Sequence, residues 1–159
     1  MSVRSGIGYD SHRFAPGGPL VLGGVRIEVD VHLHGHSDGD AIAHALTDAI
    51  LGAAALGDIG EMFSDRDPAN AGRDSMEMLG HAVLRVHGAG WKVSQVDVVV
   101  IAETPKVAPH RAAMQERLAP VLEVATGDVS IKGKTNEGMG AIGRGEGIAC
   151  MATATLVAR

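Results

Sequence analysis

Cysteine is nearly missing from this chain: Cys150 is its one thiol. No intrachain disulfide can form, so a disulfide-stapled scaffold is excluded. Gly147-Ile148-Ala149 before Cys150 and Met151-Ala152 after it predict a buried, unreactive side chain. Aromatics are scarce at 3%, whereas apolar residues reach 45%. The core must therefore be built from Ala, Val, Ile, Leu and Met. A basic excess is lacking too, since the formal net charge is -5. That excludes a general nucleic-acid surface, which needs clustered Lys and Arg against phosphates. A small phosphorylated ligand stays compatible, because a bound metal ion reverses the local field. No apolar run is long enough to span a bilayer, and Met1-Ser2-Val3-Arg4-Ser5-Gly6 lacks the apolar stretch of a secretory signal. The expectation is a soluble, cytoplasmic protein with no nucleic-acid and no membrane partner.

What is present fits one domain, residues 1–159, without linker, repeat or low-complexity tract. Val3 to Arg13 reads as a short strand running into a polar turn. Leu20 to Val29 is rich in β-formers and turns at Gly23-Gly24. A strong helix is predicted from about Asp40 to Leu56, with Ile42, Ala45, Leu46, Ala49, Ile50 and Ala53 on one face. Ser37, Asp38 or Asp40 can cap its start, and Gly57 can end it. A second helix, Asp74 to His87, carries Met76, Leu79, Val83 and Val86. Gln95 to Ala102 is a strand whose β-branched run predicts burial on both faces. Pro109 to Val124 reads as a third helix, with Met114, Leu118 and Val121 inward and Pro120 shortening or kinking it. Asp128 to Lys134 and Gly147 to Val157 are the remaining strands. Strands alternating with helices predict an α/β layered domain.

The chemistry concentrates in the histidines, four of which are His32, His34, His36 and His44. Asp10-Ser11-His12 puts a carboxylate and an imidazole two residues apart, on the same side of a strand. His44, one turn into the first helix, can supply a third ligand. One Asp, two His and an open fourth position form the donor set of a catalytic zinc site. Asp48 follows His44 on the same helix face and is either an acceptor for its imidazole or a solvated carboxylate. His36-Ser37 stand before the helix start, where backbone N–H groups and the helix dipole favour a phosphate. Ser37 serves equally as a plain N-cap. His32 and His34 read as exposed loop residues without a role.

Downstream, Asp58-Ile59-Gly60 follows the first helix. Phe63-Ser64-Asp65-Arg66-Asp67-Pro68 is a polar loop, suited to sugar hydroxyls or to plain solvation. Glu103-Thr104-Pro105-Lys106 ends the strongest strand, a common ligand position in α/β sheets. Lys134-Thr135-Asn136-Glu137 ends the next strand. Glu137 is a hard oxygen donor suited to magnesium shared with phosphates. Thr135 can touch the same phosphates, and Arg144 offers a bidentate contact. Gly138-Met139-Gly140-Ala141-Ile142-Gly143 matches G-x-G-x-x-G, but Arg144-Gly145-Glu146-Gly147 leads into a β-rich segment, so the dinucleotide-binding context fails.

Five motifs in this order carry a resemblance that covers nearly the whole chain: Gly8-Tyr9-Asp10-Ser11-His12, His36-Ser37-Asp38-Gly39-Asp40, His44-Ala45-Leu46-Thr47-Asp48-Ala49, Gly57-Asp58-Ile59-Gly60 and Gly143-Arg144-Gly145-Glu146-Gly147-Ile148-Ala149. The chain resembles the 2-C-methyl-D-erythritol 2,4-cyclodiphosphate synthase family. The resemblance implies a two-layer α/β sandwich of α+β type, a four-stranded sheet with helices on one side, assembled as a homotrimer with active sites between subunits. It implies that Asp10, His12 and His44 hold zinc. Glu137 then helps hold a second divalent ion, magnesium or manganese, and His36 and Thr135 stabilise the transition state. Asp58, Ile59 and Gly60, with Phe63, Ser64, Asp65, Arg66 and Asp67, line a methylerythritol pocket. Ala102, Glu103, Thr104, Pro105, Lys106, Val107 and Ala108 surround a cytosine. Ser37, Lys134, Asn136, Ala141 and Arg144 complete the substrate contacts.

The implied reaction is that of a phosphorus-oxygen lyase in non-mevalonate isoprenoid synthesis, which cyclises a cytidine-diphosphate substrate and releases CMP. Five positions depart from the family pattern. Ser64 replaces a usual Pro. Gly133-Lys134-Thr135 replaces Ala-Thr-Thr, and Lys134 adds a cation. Ala141 stands at an often aromatic position of the central trimer cavity, and Met151 where Glu is common. The ligand residues alone would also serve a metal-dependent nucleotide hydrolase or a non-catalytic metal- or nucleotide-binding trimer.

Overall fold

The computed structural model describes residues 2–159. Strand β1 (Val3–Pro16) opens the chain; β2 (Leu20–Leu22) and β3 (Val25–Ile27) form a separate hairpin about Gly23-Gly24. A short strand β4 (Val31–Leu33) precedes helix α1 (Ala41–Ala53). Then come α2 (Ile59–Met62), α3 (Ser75–Gly88), β5 (Trp91–Ile101), α4 (Arg111–Leu122), β6 (Val129–Lys134), α5 (Gly140–Gly143) and β7 (Gly147–Ala158). The main sheet has the order β4-β1-β7-β5-β6. β1 and β5 pair antiparallel with β7 on either side, and β6 adds parallel to β5. Four long strands thus carry the sheet, as the resemblance implied. The fifth, β4, is a three-residue extension on the tail of β1. His32 therefore sits on a strand, with Nδ1 2.6 Å from the Gly17 carbonyl, and not on a loop.

The alternation of β1 fixes what faces what. Gly6 and Gly8 point at α1, where a Cβ would run into the backbone of Ala49 and Ala45. Asp10 and His12 follow on that side by the two-residue period. Ile7 and Tyr9 point the other way and are 65% and 58% exposed. The helical layer covers one side of the sheet, and Ile7, Tyr9 and Met151 leave the other side open and apolar. β5 alternates in the same manner: Val96, Val98 and Val100 are buried, while Asp97, Val99 and Ile101 are half-buried. Its β-branched run reflects strand propensity, and the expected burial on both faces does not occur within one chain.

α1 is buried almost all round, which its many alanines permit against the glycine side of β1. Asp40 caps it by accepting the Ala43 amide at 3.1 Å. The helix stops at Ala53, short of the expected Leu56, because Ala55 takes a left-handed φ of 57° before Gly57 is reached. α3 starts from an Asp74 cap. α4 follows a 3-10 turn at Ala108–His110 and ends two residues past Pro120. Leu122 joins Met114 and Leu118 in the core, and Val121 packs against it half-buried. Cys150 is buried opposite Asp10, and burial pushes its thiol well above the ordinary range, which makes it inert.

Candidate active site

Three side chains converge where β1 meets α1. Asp10 Oδ2 lies 2.6 Å from His12 Nε2 and 3.2 Å from His44 Nδ1, and the two ring nitrogens are 3.3 Å apart. One ligand atom from each residue falls within 4.8 Å of the others, a group that fits a metal ion. The packing of α1 on Gly6 and Gly8 makes this approach feasible, since it sets His44 directly over the strand. Burial opposes ionisation of Asp10, yet hydrogen bonds and charge from His12 and His44 hold its carboxyl below the usual range.

The outer nitrogens are committed elsewhere. His12 Nδ1 sits 2.8 Å from the His34 carbonyl. A carbonyl only accepts, so Nδ1 carries a proton there, and a ring that gives up its hydrogen bond to Asp10 and turns neutral presents Nε2 bare to a metal. His44 Nε2 lies 2.8 Å from Ser75 Oγ and 2.9 Å from Ser37 Oγ. One oxygen and two nitrogen donors, with no fourth member of the group among the described residues, suit a divalent ion with an open position. Asp48 plays no part in this arrangement: its Oδ1 accepts the Ile59 amide at 2.8 Å and ties α2 to α1.

A pocket opens over these ligands. Gly35, His36, Ser37, Ile59, Gly60, Phe63, Asp65, Asn70 and Met78 complete its lining. Asp58, Ser64, Arg66 and Asp67 lie outside that lining and build the loop itself. Asp58 caps α2 at the Glu61 amide, and Ser64 Oγ accepts from the Arg66 amide. Asp67 Oδ1 accepts from the Ala69 amide.

A second pocket lies at the adjoining carboxyl ends of the parallel strands β5 and β6. It is lined by Val100, Ala102, Pro105, Lys106, Val107, Ala108, Arg111, Gly133, Lys134 and Thr135. Parallel pairing is what places Ala102–Ala108 beside Gly133–Thr135. Glu103 and Thr104 are not in its lining. Glu103 Oε1 accepts the amides of Asn136 at 2.9 Å and Gly138 at 3.4 Å, which holds the loop on which Glu137 is exposed with a left-handed φ of 52°. Ala141 lines a third pocket with Ser11, Arg13 and Ile142, and Arg144 pairs with Glu146 at 2.6 Å. The pocket over the metal ligands and the pocket holding Thr135 share no lining residue.

This architecture has known counterparts. The profile of the YgbB family matches residues 3–157. A 2-C-methyl-D-erythritol 2,4-cyclodiphosphate synthase from Gemmatimonas aurantiaca is 63% identical over 158 residues, covering 99% of this chain and 95% of that one. This chain belongs to the 2-C-methyl-D-erythritol 2,4-cyclodiphosphate synthase family. Within the family, the bifunctional IspDF of Campylobacter jejuni superposes with a TM-score of 0.96 at 40% identity; the match covers 99% of this chain and 43% of that longer one. IspF of Plasmodium falciparum, in a CDP complex, superposes with a TM-score of 0.87 at 35% identity, covering 99% and 97%.

Sequence reasoning passed over several residues of this site. Ser75, the acceptor side of Asp38, Asn70, Met78 and the His34 carbonyl all reach it through contacts between distant segments. The motif His36-Ser37-Asp38-Gly39-Asp40 held Asp38 in view, but only as a helix cap. No helix of the described residues is long and apolar enough to cross a membrane.

Proposed function

We propose that this protein converts 4-diphosphocytidyl-2-C-methyl-D-erythritol 2-phosphate to 2-C-methyl-D-erythritol 2,4-cyclodiphosphate and CMP. The observation that carries the reading is the Asp10–His12–His44 group under a pocket lined by His36, Ser37, Ile59, Gly60 and Asp65, in a chain of this family. Asp10, His12 and His44 would hold zinc. Zinc there supplies a Lewis acid and a template for phosphate oxygens. His36 and Ser37 bind the phosphate beside it, and Ile59, Gly60, Phe63 and Asp65 enclose the methylerythritol carbons. Ala102, Lys106 and Ala108 take the cytosine end, and Lys134 adds a cation beside Thr135. Glu137 would hold magnesium or manganese, which would neutralise phosphate charge.

The 2-phosphate oxygen forms a bond to the β-phosphorus. The bond from that phosphorus to the oxygen of CMP breaks, and CMP leaves with the electron pair. Such transfers depend on positioning and charge neutralisation, and no protein nucleophile is needed. His36 and Thr135 stabilise the charge that develops. Separate pockets for the two ends of one substrate support an assembly in which neighbouring subunits supply the two halves. The open sheet side bearing Ile7, Tyr9 and Met151 suits burial in a homotrimer. We place the activity in the cytoplasm, in the whole chain acting as one domain.

Phosphorus NMR of the protein with the cytidine substrate, zinc and magnesium tests this reading. A cyclic diphosphate appearing together with CMP is the expected result. CMP with linear phosphates would assign a hydrolase instead, and no reaction by the metal-loaded protein would leave a binding protein.

A further inference from the structure

We infer that Ser75 and Asp38 form a positioning pair that sets the tautomer and orientation of His44 for its metal. The inference rests on the proposed metal site and deepens it. His44 must present a bare Nδ1 to share an ion with Asp10 Oδ2 and His12 Nε2, which lie 3.2 Å and 3.3 Å away. A neutral imidazole carries one N–H, so that proton has to sit on Nε2. Nε2 faces two hydroxyls, Ser75 Oγ at 2.8 Å and Ser37 Oγ at 2.9 Å. A hydroxyl can donate or accept, so its own proton decides the outcome.

Ser75 has that proton committed. Its hydroxyl donates to Asp38 Oδ1 in a close contact, and its amide donates to Asp38 Oδ2 at 3.1 Å. A carboxylate only accepts, so Ser75 Oγ has lone pairs alone to offer the ring. Asp38 is held in turn by the Asp40 amide at 3.0 Å. Ser75 is fully buried as the first residue of α3, which leaves this network little room to rearrange.

The two histidines are thus handled in parallel. Each has its outer nitrogen against a group that can only accept, and each turns its inner nitrogen toward Asp10. For His12 the acceptor is the backbone carbonyl of His34. For His44 it is a side-chain pair, contributed by the α3 start and by the segment before α1. That pair can be removed by substitution, which makes the role testable.

The test uses the full-length protein as Ser75→Ala, Asp38→Ala, Ser37→Ala and His44→Ala variants. Zinc affinity is measured by competition with a chelating dye, and the His44 tautomer is read by ¹⁵N NMR of the zinc-loaded protein, in which Asp10 would bind the metal and no longer accept from the ring. Native protein should show His44 protonated on Nε2. Ser75→Ala and Asp38→Ala should show a mixed or reversed tautomer and bind zinc roughly 10- to 100-fold more weakly. Ser37→Ala should keep the native tautomer. Thermal melts of the metal-free variants identify any that fail to fold. The half-buried Asp38 position supplies the reading if the buried Ser75 position does not tolerate change.

Zinc affinity and tautomer unchanged in both pair variants would overturn the inference. So would weaker zinc binding with the tautomer intact, which would make the pair a packing element, or a tautomer that follows Ser37 instead. Zinc retained by His44→Ala would remove the metal-site reading and this inference with it. Zinc lost in His44→Ala but unaffected in both pair variants would sink the inference alone.

Discussion

Gly8 on β1 lies directly beneath the carbonyl of Ala45 on α1, with no room for a Cβ between them. This contact sets the depth at which α1 seats on the sheet. Asp10 is two residues beyond Gly8, and His44 is next to Ala45, so the same contact sets the spacing of the metal ligands. Gly8→Ala should lift α1 and cost about 1–3 kcal/mol, as overpacking does. Urea unfolding should show the loss, and zinc bound per subunit should fall with it. An unchanged unfolding midpoint would show that the helix can shift without strain.

Much of the site was legible because its rules are local. Asp10 and His12 converge by the two-residue period of a strand, and His44 by its place one turn into a helix. The rest depends on pairing that periodicity does not encode. Ser75 reaches Asp38 across 37 positions of sequence. The pocket at Ala102–Ala108 and Gly133–Thr135 exists because β6 joins β5 in parallel, and strand order had no local signal. Asp48 shows the converse. Its helical spacing to His44 was real, but its carboxylate was claimed by the Ile59 amide. Gly57 is the stronger local signal for the end of α1, yet the helix stops earlier because Ala55 adopts the left-handed turn first.

His44→Ala should abolish zinc binding, since Asp10 and His12 alone cannot complete the site. Metal analysis after dialysis is the check, and full zinc content would refute the ligand assignment. The variant should stay folded: the His44 ring lines the pocket, and no large apolar group is lost from the core.

Glu137 stands on a loop held by Glu103 through the amides on either side of it. Glu137→Gln should weaken the response to added magnesium and leave zinc in place. Glu103→Ala should act in the same direction through the loop, because a hydrogen bond to a charged acceptor contributes about 1.5–3 kcal/mol. Glu103→Gln keeps a carbonyl acceptor and should fall between Glu103→Ala and the native protein. Magnesium titrations of activity, run at saturating zinc, separate the three. Identical titrations for native and Glu137→Gln would remove the metal role of Glu137.

Asp40 is fully buried and serves two elements at once. Its Oδ1 accepts the amides of Gly23 at 2.9 Å and Ala43 at 3.1 Å, and its Oδ2 accepts that of Gly24 at 2.7 Å. One carboxylate therefore caps α1 and pins the β2–β3 turn to it. Burial drives its carboxyl pKa up, against the pull of the Gly24, Ala43 and Gly23 amides. Asp40→Asn keeps the shape but turns one acceptor into a donor that meets an amide N–H. The unsatisfied group should cost about 1–3 kcal/mol, seen as a lower urea midpoint with zinc stoichiometry preserved, because the ligands sit on β1 and one turn into α1. Asp40→Ala removes both acceptors and should lower the midpoint further. A midpoint equal to that of the native protein in both variants would mean that the hairpin turn and the helix start find other partners, and that the shared carboxylate is dispensable.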